Sequence, residues 1–130
     1  MTQPTAVSRR LVVTGAVLGL LAVAFGAFGA HWLSDTIAPE LLGTFETGAR
    51  YQMYHALALV GAGVLADRWP RPQFVWGGWL FIVGVVIFSG SLYALVLTGA
   101  RWLGAVTPIG GACLVAGWGA LAWGAASRNP

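Results

Sequence analysis

The chain has 130 residues, of which 58% are hydrophobic and 8% charged, and its mean hydropathy is +0.76. A soluble domain carries about 25% charged residues, so this composition excludes a water-facing globule. The formal charge of +3 rests on seven arginines scattered near helix ends rather than clustered, which argues against nucleic acid as a partner and gives the pattern of membrane topology signals.

The first element is the uncharged run Leu11–Ala30, 20 residues long, and about 20 apolar residues span a bilayer core. Ser8-Arg9-Arg10 before it resembles the start of an export signal. The run is longer than the ~7–15 residues of a signal h-region, so an uncleaved first helix over 11–32 is expected. At 100° per residue, Gly15, Gly19, Ala22, Gly26 and Ala30 form one stripe of that helix. Small residues let backbones approach, which drives association in hydrocarbon. His31 follows directly, about 160° from the stripe if the helix stays regular.

The second uncharged run, Tyr51–Ala66, has only 16 residues. It spans only if its helix begins earlier, near Pro39, so a helix over 40–66 is expected. Glu46 and Arg50 are spaced for a helical ion pair and point about 140–180° away from His55. The opposite face carries Thr44, Gly48, Tyr51, Gln52 and His55, with Leu59 and Ala62 continuing it.

Pro70 and Pro72 mark a turn before Pro72–Ala100, 29 uncharged residues, read as a helix over 74–98. Gly77, Gly84 and Ser91 make its small stripe. Ser89 and Ser91 are expected to bond to carbonyls one turn back, with Tyr93 nearby. The last run, Trp102–Ser127, has 26 residues and predicts a helix over 103–126, rich in glycine at Gly110, Gly111, Gly117 and Gly119. Pro108, after Thr107, is expected to kink it. Cys113 has no intrachain disulfide partner, because it is the single cysteine. "TGAR" occurs at 47–50 and 98–101, before each inward-running helix, and is read as coincidence in so glycine-rich a chain.

The fold class expected is therefore all-α: one transmembrane domain over 1–130, a four-helix up-down bundle with short connections. Placing both termini in the cytoplasm puts Arg9, Arg10, Arg68, Arg71 and Arg128 inside, and only Arg50 and Arg101 outside, beside Asp35, Glu40 and Glu46. In that topology His31, Tyr51, Gln52, His55, Ser89, Ser91, Tyr93 and Thr107 converge on the outer half. Buried polar groups in a bilayer need a partner or a job, so these residues are the candidate polar site. The inner half reads as Val, Leu, Ala, Gly and Trp.

Four stretches, "GAFGAHWL" (26–33), "TGARYQMYHALAL" (47–59), "IFSGSLYALVLTG" (87–99) and "TPIGGACLVAGW" (107–118), resemble in order the signature segments of the domain of unknown function 423 family. The resemblance implies a four-helix integral membrane protein, with His31, Tyr51, Gln52, His55, Ser89, Gly90, Ser91, Tyr93, Thr107, Pro108, Gly110 and Gly111 on motif positions. It adds no activity, substrate or cofactor.

No nucleophile–base pair, phosphate loop, metal-ligand set or carboxylate pair is present, so no catalytic residue is assigned. The reading favoured is a non-catalytic accessory or assembly component of the cell membrane, in a larger membrane complex or a homo-oligomer. The alternative is a cofactor site, with His31 and His55 as axial ligands of a b-type haem or as partners of a quinone with Tyr51 and Gln52. Solute or proton transport is the least favoured, because no charged track or broken helix crosses the midplane.

Overall fold

The computed structural model describes residues 3–128 and contains four helices joined by short connections: α1 (Ala6–His31), α2 (Pro39–Arg68), α3 (Pro72–Thr98) and α4 (Thr107–Ala126). The outermost two residues at either end of the expected domain lie outside this description. Helices α1, α3 and α4, the first and last with their adjoining short 3-10 segments, are long and apolar enough to cross a membrane. Helix α2 is less apolar but has 30 residues, roughly 45 Å of helix, and it packs between α1 and α3. Extensive interfaces join α1 to α2, α2 to α3, and α3 to α4, while α1 touches α3 lightly. The four-helix up-down architecture is thus a row bent into a bundle.

Local chemistry sets the helix ends. The Thr5 side chain caps α1 by accepting from the Ser8 backbone N–H at 3.1 Å, so the helix starts before the apolar run does. Helices α2, α3 and α4 each carry a proline in the first turn, where a missing N–H costs nothing. Pro108 therefore does not kink α4. It marks the start, and the segment expected as helix from 103 is instead a 3-10 turn over Arg101–Ala105, because proline cannot donate to a carbonyl four residues back. Gly99 ends α3 at φ 72°, the only positive φ among the described residues. The second "TGAR" thus terminates a helix while the first lies inside α2, so the two copies share no conformation.

The α1/α2 seam repeats every seventh residue: Ser8, Gly15, Ala22 and Gly29 are buried on α1, facing Phe45, Ala49, Gln52, Ala56, Leu59, Gly63 and Ala66 on α2. Gly15 permits the closest approach, since a methyl there would sit 2.9 Å from the Ala56 carbonyl. Gly19 faces Ala56 and Met53 at ordinary distance, whereas Gly26 has open space around it and Ala30 is exposed. Gly29, under Phe45, holds the place expected for those two. A seven-residue repeat belongs to helices coiling at 3.5 residues per turn, and a straight 3.6-residue wheel drifts off it.

The α3/α4 seam is built the same way, from Gly77 and Gly84 against Gly110, Gly117 and Gly124. A methyl on Gly84 would meet Leu114 Cδ2 at 2.5 Å, and one on Gly110 would fall on the backbone of Phe88. Gly111 and Gly119 lie off that seam, with Phe88 no nearer than 3.8 Å to the first and nothing near the second. Leu11, Leu59, Phe81, Val85 and Leu114 join the seams into one core.

Candidate functional site

The polar residues sort into separate groups according to which helix pair they bridge. Gly48 leaves room for the Tyr93 ring to lie directly over α2, where a methyl would stand 2.7 Å from Tyr93 Cε1. The phenol then reaches Gln52 one turn along and donates to Oε1 at 2.7 Å. Gln52 Nε2 donates in turn to the Leu18 carbonyl of α1 at 2.8 Å. A carbonyl accepts only, so the amide orientation is fixed. Gln52 is 3% exposed, and its two bonds tie α1, α2 and α3 together. Phe25 and Phe45 pack their rings against Tyr93 and close the group.

The serines do more than bond back to their own helix. Ser89 Oγ donates across to the Gly48 carbonyl of α2 at 2.7 Å. Ser91 Oγ makes the local bond to Phe88 O at 2.9 Å and also meets Thr107 Oγ1 of α4 at 2.6 Å. The expectation that both serines bond one turn back is corrected for Ser89 and incomplete for Ser91. Each hydroxyl stands where a second helix comes within reach.

His55, 5% exposed, forms a third group. Its Nδ1 lies 2.7 Å from the Tyr51 carbonyl, and its Nε2 lies 3.2 Å from Trp118 Nε1 of α4. An indole N–H only donates, so Nε2 is the acceptor and Nδ1 carries the proton to the carbonyl. Both ring nitrogens are therefore engaged, in the neutral tautomer. Tyr51 stacks on the imidazole at 6.2 Å, and Phe81 and Trp118 flank it.

Beside this histidine a cleft of about 700 Å³ opens between α2 and α4, lined by Tyr51, Tyr54, His55, Leu57, Phe88, Gly111, Leu114, Val115 and Trp118. It is aromatic and apolar, and its size falls in the range of small-molecule sites.

Three sequence-derived assignments fall elsewhere. His31 ends α1 exposed, with no hydrogen bond, ion pair or ring contact among the described residues, and it does not line the cleft. Glu46 and Arg50 are both exposed and form no ion pair among the described residues; an exposed pair gains too little to hold two long side chains together. The other half of the bundle is not purely apolar. Ser8 Oγ, 2% exposed, donates to the Gly63 carbonyl at 2.7 Å, and Arg71 donates to the Gly124 carbonyl. Trp118 and Ser8 were the partners missing from the sequence reading. A tryptophan in mid-helix needs an acceptor for its N–H, and Ser8 stands seven residues before Gly15, so each carried a signal. Among the described residues no group of three His, Cys, Asp or Glu side chains could hold a metal.

The family profile described as protein of unknown function (DUF423) matches residues 25–111. The UPF0382 membrane protein YwdK of Bacillus subtilis is 45% identical over 108 residues, 82% of this chain and 88% of that protein. The UPF0382 inner membrane protein YgdD of Escherichia coli K12 is 42% identical over 118 residues, 91% of this chain and 90% of its own length. A Staphylococcus haemolyticus UPF0382 membrane protein is 45% identical over 107 residues, covering 82% and 87%. No solved structure matches the chain.

Proposed function

This chain belongs to the DUF423 family of UPF0382 membrane proteins, and from that premise we propose that it is a non-catalytic accessory or assembly component of the inner membrane. The observation that carries the reading is that the polar side chains gathered on the Gln52, His55 and Ser89 side of the bundle are spent on bonds between helices. Gln52, Ser89, Ser91, Tyr93, Thr107, His55 and Trp118 hold α1 to α2, α2 to α3, α3 to α4 and α2 to α4. None is left as a free base or nucleophile, so the surface is what acts. The apolar cleft between α2 and α4 opens sideways toward lipid, where a partner helix docks. In this reading the arginine-rich end faces the cytoplasm.

A second reading is supported by the cleft volume: a quinone-like ring lying among Tyr51, Phe88 and Trp118. A haem ligated by His31 and His55 has less support, since ligation takes His55 Nε2 away from Trp118 and His31 lies outside the cleft.

The test is made on native membranes in mild detergent. On a native gel the 13.6 kDa chain is expected in an assembly much larger than itself, and Val115→Trp, which fills the cleft, is expected to release it. A chain that runs alone overturns the accessory reading. A stoichiometric absorption band of a bound haem or quinone, lost in the same variant, establishes the cofactor reading instead.

A further inference from the structure

Charge is divided unequally between the two ends of the bundle. Arg9, Arg10, Arg68, Arg71 and Arg128 stand at the end where α1 and α3 begin and α2 and α4 finish, with Asp67 as the one acid among them. Arg50 and Arg101 stand at the other end with Asp35, Glu40 and Glu46. At the arginine-rich end a groove of about 220 Å³ runs between α1 and α2, lined by Ser8, Arg9, Val12, Val13, Val64 and Asp67, with Pro4 at its margin. The polar and apolar linings are ordered by depth. Arg9 on α1 and Asp67 on α2 are each one turn nearer the helix end, while Val12, Val13 and Val64 lie one turn deeper.

Asp67 shares the groove lining with Arg9 but forms no ion pair with it among the described residues. Its Oδ1 accepts the Thr5 backbone N–H at 3.1 Å, which turns the carboxylate toward the start of α1, where the helix dipole favours negative charge. Arg9 and Arg68 stay exposed, Arg68 lying over the Trp69 ring at 5.8 Å. A guanidinium fork matches a phosphate bidentately, and basic pockets between membrane helices take anionic headgroups.

From this ordering we propose that the α1/α2 groove binds one anionic phospholipid, its phosphate on Arg9 with Arg68 adding to the field, and an acyl chain along Val12, Val13 and Val64. Charge complementarity selects the headgroup, and the valine floor distinguishes a lipid from free phosphate. The site is independent of what the cleft between α2 and α4 does.

The test uses the purified full chain in neutral detergent, with phosphatidylglycerol and phosphatidylcholine of identical chains, bound lipid being counted by native mass spectrometry. Phosphatidylglycerol is expected to bind at least tenfold more than phosphatidylcholine. The double variant Arg9→Gln/Arg68→Gln should lose most of that preference, and Arg50→Gln/Arg101→Gln should keep it. Val13→Trp, which fills the groove and leaves the arginines, should lower retention of the lipid several-fold. Circular dichroism confirms that each variant is folded, and the exposed arginine pairs leave the seams untouched. Equal binding of the two lipids, equal loss in the two arginine pairs, or displacement by millimolar inorganic phosphate would overturn the proposal.

Discussion

Two glutamines show how much a single buried polar atom depends on its surroundings. Gln52 meets Leu18 O and the Tyr93 hydroxyl, so Gln52→Leu strands the phenol and removes the cross-helix bond to a carbonyl that keeps its own helical partner. A loss of about 1–2 kcal/mol is expected, because interhelical bonds in membranes are each worth about 0.6–2 kcal/mol and an orphaned group adds its own penalty. Gln73 is the contrast, since its Oε1 is buried with no partner among the described residues. Gln73→Leu is expected to leave stability unchanged or raise it. Unfolding both variants side by side in detergent, followed by circular dichroism, reads the difference; equal losses would show that the Gln52 bridge contributes nothing of its own. At this scale the sequence identified which residues were polar and at what depth, but not whom they met. The Gln52 partner on α1 is a backbone carbonyl, which no side-chain pattern advertises. The mid-helix position of Trp118 signals that its N–H needs an acceptor, but not that the acceptor is His55 on α2.

At the scale of the helices, glycines of one composition divide into two kinds. A methyl at Gly84 or Gly110 runs into the backbone or core of the facing helix, whereas at Gly26 and Gly111 it meets nothing nearer than 3.8 Å. Alanine at Gly84 or Gly110 is therefore expected to cost about 1–3 kcal/mol through overpacking. At Gly26 or Gly111 it should add up to about 0.5–1 kcal/mol, the ordinary gain for replacing a helical glycine. Thermal unfolding of the four variants checks the division, and a uniform effect across them would refute it. Three apolar runs were legible as helices from length alone. The α1 stripe was only half legible, because at 100° per residue Ser8 and Gly29 lie as close to Gly15 as Gly26 and Ala30 do, and the angle alone does not say which small residues meet α2. Under a seven-residue count Ser8 and Gly29 enter the seam while Gly26 and Ala30 leave it.

For the molecule as a whole, the distribution of charge sets the orientation to be tested. Five arginines at one end against two at the other favour that end inside the cell. A fluorescent-protein fusion after the C-terminus is expected to be bright, since such fusions mature on the cytoplasmic side; a dark fusion of normal abundance would reverse the assignment. Helix α2 was the element least certain from its own composition, with only 16 uncharged residues and too little apolar surface to qualify alone. Its place between α1 and α3 supplies what its sequence lacks.

That arrangement in a row has a consequence for how the protein is made. Each helix after the first packs extensively on the helix just before it in the chain, so no early segment has to wait for a distant one. Synthesis delivers α1 first, and the Ser8, Leu18 and Gly15 positions that receive α2 are already in place when it emerges. The least apolar helix thus enters the bilayer beside a template, with its glutamine already matched to a waiting carbonyl. Biogenesis can proceed as a zipper, from α1 toward α4.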